Sequence, residues 1–272
     1  MCDTCGCNVT QGNQHLIARG GRHEHTHDGQ VAVEVLENLL SENDHQAAHN
    51  REHFDRHGVL AVNMMSSPGS GKTSLLEATI EALQGRFRIG VIEGDLETEN
   101  DAERIRRKGV TAIQITTGTA CHLDAHMVHH ALHHIDLDEI DVLFIENVGN
   151  LVCPASFDLG QHRNLTLLSV TEGDDKPAKY PVIFRAADKV LITKVDLLPF
   201  LDDFNPERAA EAVRNLAVST PVVRLSARTH EGLDLWLEWL EQQITQQAQR
   251  RLQGETATPN VQAEHAHVHA RG

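Results

Sequence analysis

The sequence predicts an α/β fold: a doubly wound, mainly parallel sheet with helices on both faces. Three observations predict it. Short apolar runs of strand length alternate with stretches of helical periodicity. The first run leads through a turn of small residues straight into a helix pattern. The reactive side chains sit just after the apolar runs, at the ends where an open parallel sheet binds ligands. The 272 residues are enough for one such domain with tails. Residues 1–30 read as a flexible Cys/His metal-binding tail, 31–250 as the folded domain with its N-terminal helix, and 251–272 as a disordered His-containing tail.

Composition narrows the function. The chain has 24 Lys and Arg against 39 Asp and Glu, a net charge of −15. That argues against nucleic acid or an anionic membrane as partner. No run approaches the ~20 apolar residues of a membrane helix. The opening MCDTCGCNVT has neither the basic nor the apolar part of a secretion signal, so the expected location is cytoplasmic. An odd count of five cysteines fits no disulfide framework. With 19 clustered histidines, they point to soft or borderline metal ions.

In chain order, Cys2, Cys5 and Cys7 can close around one ion, with Gly6 permitting the tight backbone. His23, His25 and His27 alternate as a weaker tract. Residues 31–57 read as a helix, because Val31, Val35, Leu36, Leu39 and Leu40 recur at helical spacing. His45, His49, His53 and His57 follow at intervals of four, on a face that reads as solvated. Residues 59–65 are the first strand, and Lys72 opens a helix to about residue 84. Further strands are expected at 88–93, 112–116, 141–145, 165–170, 189–193 and 221–225. Helices are expected at 100–108, after Cys121 where the loop 117–122 opens one, at 206–217 and at 231–250. Leu233, Trp236, Leu237, Leu240 and Ile244 form the apolar side of the last one. In the helix after Cys121, the spacing places His122, His126, His129, His130 and His133 on one outward stripe that starts at His122.

The segment Ser67-Pro68-Gly69-Ser70-Gly71-Lys72-Thr73-Ser74, between a strand and a helix, is a phosphate loop. It makes the sheet P-loop GTPase-type in design. Small residues let backbone N–H groups and a helix N-terminus face phosphate oxygens. Lys72 reaches the β- and γ-phosphates, and the Thr73 hydroxyl binds Mg²⁺. Ser66 stands where the usual pattern has Gly. The run Thr193-Lys194-Val195-Asp196 selects guanine. Asp196 accepts from N1–H and the 2-amino group, where adenine would present a lone pair and no amine. Lys194 lies along the base, and the Ser226-Ala227 backbone meets the guanine oxygen. Thr193 replaces the usual Asn, which predicts a weaker support contact. The expected ligands are GTP/GDP and Mg²⁺, and the expected reaction is GTP hydrolysis. Asp95, expected in the loop after the second strand, holds Mg²⁺ or positions the attacking water. Glu97 and Asp101 are secondary candidates. Glu146 holds a Mg²⁺-bound water, and the Gly149 N–H senses the γ-phosphate. Cys121, His122 and Cys153 form a second metal set, and two chains across a two-fold axis would offer six such ligands.

These segments jointly resemble the nickel-incorporation GTPases of hydrogenase maturation, the HypB family. The residues that carry the resemblance are Cys-x-x-Cys-Gly-Cys, SSPGSGKT, EGD, Thr-Gly-x-x-Cys-His-Leu-Asp-Ala, Glu-Asn-Val-Gly-Asn-Leu-Val-Cys-Pro and Lys-x-Asp-Leu-Leu-Pro. The resemblance covers about residues 31–247 and the first seven, and in that family Ser66 in place of Gly is usual. It implies GTP hydrolysis, a GTP-dependent homodimer, and delivery of Ni²⁺ to the hydrogenase large subunit with a small zinc-containing accessory protein. It also implies a tight nickel site at Cys2, Cys5 and Cys7 and a weaker nickel or zinc site at Cys121, His122 and Cys153. Two alternatives stand beside it. Urease accessory GTPases carry their ligands as Cys-Pro-His, whereas Ala155 follows Cys153-Pro154 here. A nickel-storing protein with incidental GTP turnover would also use clustered histidines.

Overall fold

Seven strands, all parallel, form the expected sheet in the order β3-β2-β4-β1-β5-β6-β7. The computed structural model describes residues 28–95, 99–216 and 220–259. Its elements run α1 Asp28–His57, β1 Leu60–Ser66, α2 Lys72–Leu83, β2 Ile89–Asp95, α3 Asn100–Arg106, β3 Thr111–Thr116, α4 Ala125–Leu132 and β4 Val142–Glu146. They continue with β5 Arg163–Ser169, α5 Lys176–Lys179, α6 Pro181–Arg185, β6 Lys189–Thr193, α7 Pro206–Leu216, β7 Val222–Arg224 and α8 Leu233–Gln253. No described helix is long and apolar enough to cross a membrane.

The central strand β1 is buried along its whole length, because successive side chains feed opposite faces and both faces are covered. Leu60, Val62 and Met64 pack with Leu75 and Leu76 of α2 and with Trp236 and Leu240 of α8. Ala61 packs with Phe54 of α1 and Val128 of α4. The Trp236 indole N–H donates to Thr79 Oγ1 at 2.9 Å, so the largest buried side chain leaves no polar orphan. Helix α1 is fixed by polar contacts. Asn50, fully buried, donates to the carbonyls of Ala125 (2.8 Å) and Leu159 (3.1 Å). Arg51 pairs with Asp158 at 2.7 Å.

Two local expectations shift. Strand β2 runs on to Asp95, so that residue ends a strand instead of lying in a loop. The short helices α5 and α6 fill a stretch for which no element was expected, each with Pro at its first turn, where a missing N–H costs nothing. Helix α4 begins only at Ala125. The Asp124 carboxylate accepts from Met127 N at 2.8 Å and caps it there. His122 therefore lies outside the helix and is buried, and the outward stripe does not begin at it.

Candidate nucleotide and metal site

The phosphate loop follows β1 at the centre of the sheet. Gly69 and Gly71 take positive φ of 73° and 98°, a conformation that costs glycine nothing and lets the chain curl over a ligand. Ser66, the last residue of β1, organises the loop. Its Oγ accepts from Lys72 Nζ at 3.0 Å and from Ser70 Oγ at 2.5 Å, and it donates to the Ser67 carbonyl at 2.7 Å. The Ser67 hydroxyl donates to Glu172 at 2.5 Å. Lys72 and Thr73 are buried at the start of α2, and Thr73 Oγ1 donates to Glu146 Oε1 at 3.0 Å. Lys72 Nζ lies 4.0 Å from the same oxygen.

A cavity of about 390 Å³ opens over this loop. Its walls bring together Pro68, Gly69, Lys72, Thr73, Glu93, Asp95, Asp101, Glu146 and Gly149. A side chain at Gly149 would put its Cβ 2.8 Å from Pro68 Cα, so only glycine lets this loop lie on the phosphate loop. Glu93 and Glu146 are register partners on the paired strands β2 and β4. Both are nearly fully buried, and Glu93 Oε2 and Glu146 Oε2 have no hydrogen-bond partner. Burial, followed by the Glu146, Asp101 and Asp95 charges, pushes Glu93 up to about 8. Burial also raises Glu146 to about 7, against the pull of Lys72 and Thr73. Two buried carboxylates short of partners fit a hard divalent cation.

A second cavity of about 210 Å³ shares Gly71, Ser74 and Lys194 with the first. Thr193, Asp196, Ser226 and Ala227 line it. Asp196 Oδ1 accepts from Ser226 Oγ at 2.7 Å. Lys194, at φ 60°, donates from Nζ to the Gly69 carbonyl at 2.5 Å. Thr193 makes a support contact of its own. Its hydroxyl donates to the Ser70 carbonyl at 2.7 Å, because a β-branched alcohol reaches the loop from a buried strand end.

Cys121, His122 and Cys153 meet on the loops before α4 and after β4, with donor atoms all within 4.8 Å of one another. His122 is buried and stacks on Phe157 at 3.9 Å between centroids. Burial pushes its imidazole down to about 4, so it is neutral at pH 7 and has no proton to displace before ligating a metal. Among the described residues this is the one Cys/His/Asp/Glu group so closely gathered. Cys2, Cys5, Cys7, His23, His25, His27 and Glu97 lie outside the described residues.

Asn147 joins the two regions. Its side-chain oxygen accepts from Leu123 N and from Val148 N, both at 3.0 Å, and its amide donates to Asn63 at 3.2 Å. One buried side chain thus ties the residue after His122 to the loop that carries Gly149. Leu123 also packs on Gly94, where an added Cβ would meet it at 2.8 Å. Sequence reading missed Ser66 as a ligand of Lys72, and it missed Glu93 and Asn147. A carboxylate near the end of an apolar strand, in EGD, was the signal available for Glu93. Asn147 gave none, since its role depends on two loops meeting.

Residues 60–224 match the family model described as CobW/HypB/UreG, nucleotide-binding domain. The hydrogenase maturation factor HypB of Azotobacter vinelandii is 53% identical over 211 residues, covering 78% of this chain and 69% of that protein. The chain belongs to the HypB family. The HypB of Rhizobium leguminosarum bv. viciae is 54% identical over 219 residues, 80% of this chain and 73% of that one. The crystal structure of HypB from Helicobacter pylori in complex with nickel matches at a TM-score of 0.73 and 40% identity. It covers 81% of this chain and 100% of that one. The family expected from the motifs, and the fold that comes with it, are thereby established.

Proposed function

We propose that this HypB-family chain is a GTP-hydrolysing nickel metallochaperone, which delivers Ni²⁺ to the large subunit of a nickel-iron hydrogenase in the cytoplasm. The observation that carries the coupling of the two activities is the Asn147 bridge. A γ-phosphate drawn to the Gly149 N–H displaces the 147–149 loop. Asn147 passes that displacement to Leu123 N, and the chain continues from Gly149 to Cys153. Hydrolysis then alters the geometry of the Cys121, His122 and Cys153 donors and loosens their ion.

In this reading Lys72 leaves Ser66 for the β- and γ-phosphates, Asp196 and the Ser226-Ala227 backbone read guanine, and Asp95 positions the attacking water. Thr73, Asp95, Glu146 and Glu93 hold Mg²⁺, which supplies neutralisation of the phosphate charge when bound. Ni²⁺ is cargo. It sits tightly at Cys2, Cys5 and Cys7 and more weakly, in exchange with Zn²⁺, at the second set. Three donors from one chain leave the second set incomplete, which supports a GTP-dependent homodimer that shares it, served by a small zinc-containing accessory protein. Residues 1–30 and 251–272 are tails to the domain at 31–250.

The test is GTPase activity and dimer fraction with and without Ni²⁺, on the full chain and on a chain lacking residues 1–7. Delivery predicts that Ni²⁺ changes both readouts in either chain and that the truncated chain keeps its GTPase activity. Readouts indifferent to Ni²⁺ favour nickel storage with incidental turnover.

A further inference from the structure

Eight histidines on α1 and at α4 with its C-cap lie outside the site described above, and the rings of His49, His53, His129 and His133 form one connected cluster. His49 and His53 are one turn apart on α1, and His129 and His133 are one turn apart at the end of α4. Ring centroids are separated by 4.6 Å for His49–His53, 5.1 Å for His49–His129, 6.1 Å for His53–His129 and 4.8 Å for His129–His133. Four imidazoles around one ion with metal–nitrogen bonds of ~2.0 Å would hold their centroids roughly 5 Å apart. His53, His129 and His133 also line a cavity of about 220 Å³ between the helices. His129 Nδ1 is shielded from solvent and has no hydrogen-bond partner. A fifth ring, His130, lies farther out, 6.3 Å from His133.

We propose that His49, His53, His129 and His133 form a third metal site, which takes a borderline divalent cation such as Ni²⁺ or Zn²⁺ and clips α1 to α4. Imidazole nitrogens select such ions over Mg²⁺ or Ca²⁺. Three of the ring contacts are edge to face and the His53–His129 contact is tilted, so ligation requires turning exposed and half-buried side chains about χ1 and χ2. The two packed helices hold the four side chains near one another. Burial, followed by neighbouring charges, lowers His53 and His129 from the ordinary histidine value, which favours the neutral form that ligates. His57, in the same cavity, is already hydrogen-bonded to Asp138 at 2.8 Å and is not needed as a ligand. The site does not depend on the nucleotide or on any cysteine, so it stands or falls separately from the delivery reading.

Equilibrium dialysis of the full chain against Ni²⁺, and separately Zn²⁺, tests it. The variant with His49→Gln, His53→Gln, His129→Gln and His133→Gln should bind one ion fewer per chain than the parent. All other histidines and cysteines are common to both proteins and cancel. Changing only the α1 pair or only the α4 pair should each weaken that ion by about 100-fold or more, because a shared ion loses its chelation when either half goes. The rise in melting temperature that the ion confers should vanish in all three variants, while the metal-free melting temperature stays at the parent value. Equal stoichiometry in parent and fourfold variant overturns the site and leaves a ring-stacking contact. Independent partial losses from the two half variants overturn the shared site in favour of two surface pairs.

Discussion

The phosphate cavity and the Cys121–His122–Cys153 cluster are neighbours built from opposite chemistry. The first is ringed by the carboxylates of Glu93, Asp95, Asp101 and Glu146, with Lys72 and Arg104 among them. The second offers two sulfurs and a neutral imidazole. Oxygen donors suit Mg²⁺, whereas thiolate and imidazole suit nickel or zinc. Two ions of equal charge are therefore sorted by donor type and not by distance. The difference teaches that the coupling must be mechanical, since the sites share no ligand. Asn147 lines the phosphate cavity and holds the Leu123 N–H beside His122, and Asn150 donates to the Cys121 carbonyl at 3.2 Å.

The largest expected effect separates the two regions. Lys72→Ala should lower GTP turnover by about 100- to 1,000-fold in a phosphate-release assay, the scale of losing one preorganised charge-stabilising donor. Metal affinity at Cys121, His122 and Cys153 should stay as in the parent. A parallel loss of that affinity would show that the two regions form one unit. Cys153→Ala is the converse. Affinity of the second set should fall at least ~100-fold in a competition titration, because changes even beyond the ligands cost about 10- to 100-fold. Metal-free GTP turnover should stay within about twofold of the parent.

Asn147→Ala sharpens the comparison by leaving both donor sets intact. Metal affinity should become the same with GTP as with GDP, read by the same titration. Stability should drop by ~1–3 kcal/mol in denaturant unfolding, because buried partners of Asn147 are left unpaired. A nucleotide-dependent affinity that survives would remove Asn147 from the coupling.

The smallest effect is a pH dependence confined to the carboxylate side. Glu93 and Glu146 are raised in the folded protein, to about 8 and about 7. The folded state then binds more protons than the unfolded chain above the ordinary carboxylate range. Stability without Mg²⁺ or nucleotide should therefore fall as pH rises from about 5 to 8. Glu93→Gln should flatten that slope in melting curves recorded across the range, and an unchanged slope would assign the dependence to other groups.

Much of the sheet was legible because strand length, helical period and turn chemistry are local properties. All seven strands were expected, with ends displaced by a few residues at most. The ends slipped where the deciding contact was distant. Helix α4 starts late because Asp124 caps it, and β2 runs on because β3 pairs with it through Asp95↔Thr116. The histidine stripe lost its first member for the same reason: periodicity carried the helix back to His122, whereas packing buried that ring against Phe157.

The sequence by itself determined the contiguous chemistry. The phosphate loop and the guanine-reading run each place their functional groups within a few residues, so bond geometry alone fixes what they face. Only the tertiary structure decided what stands across from what. The order β3-β2-β4-β1 sets Glu93 beside Glu146 and raises both. Two loop turns bring Cys121 and Cys153 together, and helix packing turns His49 and His53 toward His129. Such proximity depends on strand order and helix docking, which depend on how apolar surface is shared over the whole chain, and no local spacing encodes it.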